Sequence, residues 1–241
     1  MRPATVRPAA AVRPADPWSV QRNPELVTLV LWRHGQTAYN AQQRFQGQTD
    51  IPLNDIGRDQ AALAARYLAA LEPDAIFSSD LSRAVETAST LARLTGLSVK
   101  LDPDLRERGG GSWEGLTNPQ IRERYPEAYA SWLPPDGEPV AEVIDRASGA
   151  LCRIADAMPG GSLAVVTGHG ANLGLGLARV LGIPDGARIL GPFGNCRWSV
   201  VSRGKTRWRL LEHNVGGLPE PVADPEALGV THSDAEPGDG G

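Results

Sequence analysis

The chain has 241 residues, of which 41% are hydrophobic and 22% charged, which allows one substantial core or two small domains. The net charge of −4, with no basic stretch, argues against nucleic acid as a partner. No apolar run reaches the ~18 residues that a membrane span needs. The two cysteines, Cys152 and Cys196, match no metal or redox spacing, so we expect reduced core thiols. Because no apolar segment opens the N-terminus as a secretory signal would, we expect a cytoplasmic protein.

The two ends of the chain differ in composition from the middle. Residues 1–25 repeat Arg-Pro-Ala three times, and this proline density predicts a disordered N-terminal extension. Residues 215–241 are rich in proline, glycine and acidic residues, which predicts a disordered acidic tail. We therefore expect one folded domain over residues 26–214.

The predicted elements of the first half alternate between buried strands and amphipathic helices. They are a strand at 26–32, a long polar loop to about Leu53, a helix capped by Asn54 and ending near Leu71, a strand at 75–79, a helix capped by Asp80 and stopped by Gly96, and a strand at 97–101.

The second half continues the same pattern. It comprises an irregular stretch at 102–118, short helical segments around 117–132, a helix starting at Pro139, a strand at 163–167, a helix from about Gly170 to Leu181, and a hairpin of strands at 194–202 and 206–213. Strands that alternate with helices predict a three-layer α/β/α fold, with a mostly parallel sheet and an antiparallel edge.

Two histidines follow predicted buried strands, each beside glycine. His34 comes directly after Arg33, and His169 stands in a Gly-His-Gly sequence. Carboxyl ends of parallel strands meet at one edge of the sheet, where α/β proteins bind their ligands. A single strand-end histidine is more often structural. Two of them, together with Arg33 and Arg83, indicate an oxyanion site, because guanidinium groups bind oxyanions through several donors.

Arg83 and Glu107 each allow a structural and a functional interpretation. Arg83 is either a surface cation paired with Glu86 or a ligand for an anion at the start of its helix. A cation there opposes the helix macrodipole, and a phosphate bound to the free N–H groups would relieve the conflict. Glu107 is either a solvated carboxylate between Arg106 and Arg108 or a general acid.

Five sequence blocks resemble the histidine phosphatase superfamily, also called phosphoglycerate mutase-like proteins. They are LWRHGQTAYN (31–40), RFQGQTDIPL (44–53), SSDLSRAVETA (78–88), LRERGGGSWEGLT (105–117) and VTGHG (166–170), in the family's order. The resemblance implies a metal-independent phosphomonoesterase that acts on a small anionic phosphate ester through a phosphohistidine. Several blocks, with the closing GNCRWSVV and RWRLLEHN, are also similar to actinobacterial phosphatases that act on glucosyl-3-phosphoglycerate.

The resemblance implies a role for each matching position. His34 would be the nucleophile, and Glu107 would protonate the leaving oxygen and then activate water. Arg33, Arg83 and His169 would hold the phosphoryl oxygens. The residues that would line the pocket are Asn40, Gln46, Gly47 and Gly170. No metal or cofactor is implied, and family members often form homodimers.

Two other functions stay open from the sequence. A phosphoglycerate mutase would pass the phosphoryl group between hydroxyls, but the short segment from Glu107 to His169 favours an open site and hydrolysis. A binding module without turnover would normally lack one of the catalytic residues, and all five are present here. The triple glycine at 109–111 departs from the usual family pattern and predicts a flexible connection after Glu107.

Overall fold

The computed structural model describes residues 22–185, 187 and 189–216. The strands are β1 (Val27–Arg33), β2 (Ala75–Ser78), β3 (Val99–Leu101), β4 (Leu163–Gly168), β5 (Trp198–Arg203) and β6 (Trp208–Val215). The helices are α1 (Ala38–Ala41), α2 (Asp55–Ala69), α3 (Ser82–Thr95), α4 (Asn118–Arg124), α5 (Pro126–Ser131), α6 (Val140–Asp156) and α7 (Gly170–Val180), with short 3-10 turns at 103–105 and 111–113.

All six strands form one sheet in the order β3-β2-β4-β1-β5-β6. The first four in this order run parallel, whereas β5 is antiparallel to β1 and β6 is antiparallel to β5. The predicted parallel sheet with an antiparallel edge is therefore confirmed.

The two faces of β1 pack against different helical layers. Val27, Leu29 and Leu31 belong to the core cluster that includes α6 and α7. Val30 and Trp32 belong to the cluster that includes α2 and α3. A strand buried on both faces requires a continuous apolar run rather than alternation, and this is the pattern of residues 26–32. The three-layer α/β/α prediction is confirmed.

The start of α3 differs from the sequence prediction, which was wrong about Asp80. Leu81 occupies the N-cap position, and the Asp80 carboxylate instead accepts a hydrogen bond from Arg106 Nε at 2.7 Å. The amide of Ser82 donates to Asp50 Oδ1 at 2.8 Å. A carboxylate from the loop before α2 thus serves the helix start, because it reaches the free amide from outside the helix.

Two further elements differ from the predictions. The loop after β1 contains α1, whose four residues are too few to show a helical period. The strand predicted at 194–202 begins only at Trp198. Within the predicted N-terminal extension, Arg22 Nη1 forms an ion pair with Asp74 Oδ2 at 3.0 Å. The rest of that extension (residues 1–21) and the acidic tail from residue 217 lie outside the described residues.

The two cysteines do not form a disulfide; Cys196 is buried and Cys152 half-buried. In the part of the chain that the structure describes, no helix has the length and apolar character to cross a membrane.

Candidate active site

The parallel pairing of β1 and β4 brings the two strand-end histidines together. Arg33 lies opposite Gly168 in the register, and the amide of His34 donates to the Gly168 carbonyl at 3.0 Å. The rings of His34 and His169 are consequently only 5.0 Å apart between centroids. Both side chains are buried, at 2% and 0% exposure. The predicted meeting of the two residues at one sheet edge is confirmed.

The His34 ring is held in one tautomer by the backbone. Nδ1 lies 2.7 Å from the carbonyl oxygen of Gly35, which can only accept, so Nδ1 carries the proton. Burial lowers the pKa of His34 well below its ordinary value, and the charges of Arg33 and Arg83 lower it further. The imidazole is therefore neutral near pH 7, with the lone pair on Nε2.

The His169 ring lies between a hydroxyl and a guanidinium. Its Nδ1 accepts from Arg83 Nε at 3.2 Å, and its Nε2 lies 2.9 Å from Ser79 Oγ. Because a guanidinium only donates, the neutral ring carries its proton on Nε2, facing the hydroxyl. Burial and then the charge of Arg83 lower the pKa of His169 well below its ordinary value. In this arrangement His169 orients Arg83.

Arg83 is a fully buried cation, which contradicts the surface-cation alternative, and Glu86 binds Arg58 instead. Its two terminal nitrogens donate to the carbonyls of Thr49 at 2.9 Å and Gly47 at 2.7 Å. Burial lowers its pKa to about 10, so the group stays charged near pH 7. With its Nε bond to His169, three of the five N–H donors are engaged within the protein.

The start of α3 is a poorer anion site than predicted. The amide of Ser82 is bonded to Asp50, and the amides of Ala84 and Val85 donate to the carbonyl of Leu81. An oxyanion at this edge would therefore meet the Arg83 guanidinium rather than a set of free helix amides.

Arg33 directly precedes His34, and its charge lowers the pKa of both histidines. Its Nη1 donates to the carbonyl of Phe193 at 2.5 Å, in the loop before β5. A Cβ at Gly170 would lie 3.6 Å from Arg33 Cζ, so the start of α7 packs closely against this guanidinium. Asn195, in the same loop as Phe193, donates to the carbonyl of His34 at 3.1 Å. Asn195 could not be singled out from the sequence, because its loop has no periodic pattern.

Asn40 and Gln46 direct their side-chain oxygens toward Thr37. Asn40 Oδ1 accepts from the Thr37 amide at 3.1 Å within a capping box that starts α1. Gln46 Oε1 accepts from the Thr37 hydroxyl at 2.5 Å. Both residues brace the loop beside the site, and their contact with a ligand stays a prediction.

Gly47 occupies a position that only glycine fits. Its φ is +54°, and a Cβ there would overlap the carboxylate of Glu114. That carboxylate accepts hydrogen bonds from the amides of Gln48, Thr49 and Gly110, each at 2.9 Å. Glu114 thus joins the loop that holds Arg83 to the loop that follows Glu107. It stands within the family block at 105–117 but was not singled out from the sequence.

The Glu107 carboxylate caps α7, next to His169. Its Oε1 accepts from the amides of Asn172 at 3.0 Å and Arg108 at 2.9 Å, and its Oε2 accepts from Ala171 at 3.2 Å. The half-buried carboxylate is therefore fixed rather than freely solvated. The partial positive charge at the N-terminus of a helix stabilises a carboxylate in this position.

The glycines after Glu107 are held rather than loose, contrary to the sequence prediction. The amide of Gly109 donates to Glu138 Oε2 at 3.0 Å, and that of Gly110 to Glu114 Oε1. A Cβ at Gly110 would overlap the Phe45 ring. Close packing therefore requires glycine in this stretch.

Trp113 is fully buried and packs against Phe45 and Trp132. Among the residues that the structure describes, no group of three or more His, Cys, Asp or Glu side chains could hold a metal ion.

Two buried imidazoles and the guanidinium groups of Arg33 and Arg83 come together at the carboxyl edge of the parallel sheet. Residues 29–216 match the histidine phosphatase superfamily (branch 1), and the chain belongs to this family.

Within this family, the chain is similar to several phosphatases. The chain is 38% identical over 192 residues to a glucosyl-3-phosphoglycerate phosphatase of Mycolicibacterium vanbaalenii, covering 74% of this chain and 85% of that protein. It is 35% identical over 203 residues to a metal-independent phosphoserine phosphatase of Arabidopsis thaliana, covering 79% and 83%. A mycobacterial glucosyl-3-phosphoglycerate phosphatase solved with VO3 matches with a TM-score of 0.73 and 38% identity, over 78% of this chain and 99% of that one. The chain is therefore a phosphatase, as predicted.

Proposed function

We propose that this phosphatase hydrolyses small anionic phosphate monoesters through a phosphohistidine formed on His34. The observation that carries the proposal is the state of this ring. The Gly35 carbonyl holds the proton on Nδ1, and burial beside Arg33 and Arg83 keeps the imidazole neutral. A neutral, oriented Nε2 beside two cations is what in-line attack on a phosphoryl group needs.

Binding of the phosphoryl group falls to the cations at the sheet edge. Arg83 is held by bonds from three of its five N–H donors, and the charges of Arg83 and Arg33 both act on the two histidines. These fixed donors would stabilise the charge on the equatorial oxygens without rearrangement during the reaction. His169 keeps Arg83 in place through its Nδ1, and its own contact with phosphoryl oxygen is part of the proposal.

The reaction proceeds in two transfers. In the first, His34 Nε2 forms a bond to phosphorus as the ester P–O bond breaks, and protonated Glu107 gives its proton to the leaving oxygen. In the second, the Glu107 carboxylate takes a proton from water, whose oxygen attacks phosphorus as the N–P bond breaks. Inorganic phosphate leaves, and both residues return to their starting states.

The substrate class follows from the relatives. Those with 35–38% identity act, by their names, on glucosyl-3-phosphoglycerate and phosphoserine. Both compounds carry a carboxylate beside the phosphate ester. We therefore assign this chain a small phosphorylated metabolite with a second anionic group, with glucosyl-3-phosphoglycerate as first candidate. The cytoplasmic location, the homodimer and the domain limits at 26 and 214 stay predictions.

The test is phosphate release in EDTA from glucosyl-3-phosphoglycerate, 3-phosphoglycerate, phosphoserine and a sugar phosphate. We expect one carboxylated ester to be preferred, and His34→Asn to release no phosphate while unfolding cooperatively. Acid-sensitive labelling of wild type by a 32P-ester, absent in His34→Asn, would identify the phosphohistidine. Label retained in His34→Asn would contradict the assigned nucleophile. Transfer of phosphate between phosphoglycerates without release would favour a mutase.

A further inference from the structure

Glu107 lies on backbone that no helix or strand holds. The chain leaves β3 at Leu101, makes one 3-10 turn at 103–105 and continues irregularly through residues 106–110. A general acid must keep its proton within hydrogen-bond reach of the leaving oxygen. The amides of α7 hold the carboxylate end of Glu107, so the backbone end needs a separate support.

Arg146, on α6, gives that support from beneath the loop. Its side chain is only 16% exposed. Nη1 donates to the carbonyls of Asp104 at 2.8 Å and Arg106 at 2.6 Å, and Nη2 donates to the carbonyl of Glu107 at 3.0 Å. One guanidinium thus binds three carbonyls within four consecutive residues, the last of them that of the proposed acid.

Glu138 completes the arrangement from the other side. Its carboxylate accepts from Arg146 Nε at 2.6 Å and Nη2 at 2.8 Å, and its Oε2 also accepts from the amide of Gly109. Burial acts to raise the pKa of Glu138, but the bonds from Arg146 and Gly109 outweigh it and leave the pKa below its usual value. The pair therefore holds the backbone on both sides of Glu107.

The geometry uses all five N–H donors of Arg146: two on Glu138 and three on the loop carbonyls. A lysine has three donors on a single nitrogen and cannot reproduce this planar pattern. Substitution by lysine keeps the charge and loses the geometry.

We propose that Arg146 and Glu138 are positioning residues for the proton donor Glu107, and that they act on departure of the leaving group. The inference rests on the proposed acid role of Glu107. It predicts an effect that depends on the substrate. An ester with a poor leaving group needs the proton in the transition state, whereas an activated aryl ester does not.

Arg153 is the matched control on the same helix. It lies seven residues after Arg146, on the same face, and binds the carboxylates of Asp102 and Asp104 at 3.2 and 2.6 Å. Its side chain is 56% exposed, and its bonds go to side chains at the start of the same stretch. Arg153→Ala therefore removes a salt bridge near the loop without removing the bonds to its carbonyls.

The experiment compares kcat/KM for p-nitrophenyl phosphate with that for an alkyl phosphate such as glycerol phosphate. The proteins are wild type, Arg146→Lys, Glu138→Gln, Arg153→Ala and Glu107→Gln, each checked by urea unfolding. General acids contribute about 100-fold or more to such reactions, so Arg146→Lys and Glu138→Gln should each lose about tenfold more on the alkyl than on the aryl ester. Arg153→Ala should show a small loss of kcat/KM that is equal for the two esters.

The outcomes separate this inference from the proposed function. Equal losses on the two esters in Arg146→Lys and Glu138→Gln, with a selective loss in Glu107→Gln, would overturn the positioning role and keep the acid. Equal losses in Glu107→Gln itself would remove the acid role, and the inference with it. Selective loss in Arg153→Ala as well would show a general effect of destabilising the loop and would also overturn the inference. If either Arg146→Lys or Glu138→Gln fails to fold, the other variant still tests the positioning role.

Discussion

Lowering the pH should destabilise this protein through its two buried histidines. The pKa values of His34 and His169 lie well below the ordinary 6.5, first because burial disfavours the charged ring and then because arginines surround them. The folded protein keeps both rings neutral, while the unfolded chain binds a proton at each. Protonation therefore favours unfolding: this stability is fully present above about pH 6.5 and is lost as the pH falls below it.

The size of the effect follows from the linkage relation. For a ring that stays neutral in the folded protein while the unfolded chain titrates with the ordinary pKa of about 6.5, going from about pH 7.5 to about pH 5 costs about 2 kcal/mol. The two rings together should cost about 4 kcal/mol, a large share of a typical total stability of about 5–15 kcal/mol.

The assay is urea unfolding of wild type and His34→Asn at the two pH values. Asparagine is neutral and can still donate to the Gly35 carbonyl, so the variant keeps that bond and loses the titration. We expect its stability to fall by about 2 kcal/mol less than that of wild type. Phosphate must be left out of the buffers, since a bound anion would favour the imidazolium. An equal or larger fall in His34→Asn would refute a neutral His34 in the folded state.

Three further predictions concern the loops and the chemistry. Gly47→Ala should cost about 1–3 kcal/mol in unfolding free energy and raise KM, because the new Cβ meets Glu114 at positive φ and moves the carbonyl that holds Arg83; unchanged KM would contradict this. Asn54→Ala should cost about 1 kcal/mol with little change in kcat, because its side chain caps α2 by accepting from the Gly57 amide at 2.8 Å; thermal unfolding tests this. Activity should survive dialysis against EDTA, and a loss that is restored by a divalent cation would disprove the proposed metal-independent route.

The position of the site could be predicted because its main residues are tied to regular elements. His34 and His169 directly follow apolar strands, and Arg83 lies in the first turn of an amphipathic helix. Hydrophobic runs identify buried strands, and parallel pairing brings their carboxyl ends to one edge. Local sequence alone therefore placed the two imidazoles and the guanidinium near one another.

The partners of these residues depend on loops that meet only in the folded chain. Asp50 serves the start of α3, and Glu114 joins two loops about 65 residues apart along the chain. Neither carboxylate lies in a periodic sequence pattern that would identify its partner. The N-cap prediction at Asp80 was wrong because a carboxylate distant in sequence, that of Asp50, binds the helix start instead. The same holds for Arg146, which stands on an amphipathic helix like any solvated cation.

The amino-acid sequence by itself determined the three layers, which strands are buried, and which strand ends carry the site residues. These features follow from apolar patterns over a few residues. Only the tertiary structure decided the tautomer of His34, the burial of Arg83 and the support of Glu107. Each of these depends on a hydrogen-bond partner or a desolvating neighbour that the fold supplies, and such contacts have directions and distances that local sequence does not encode.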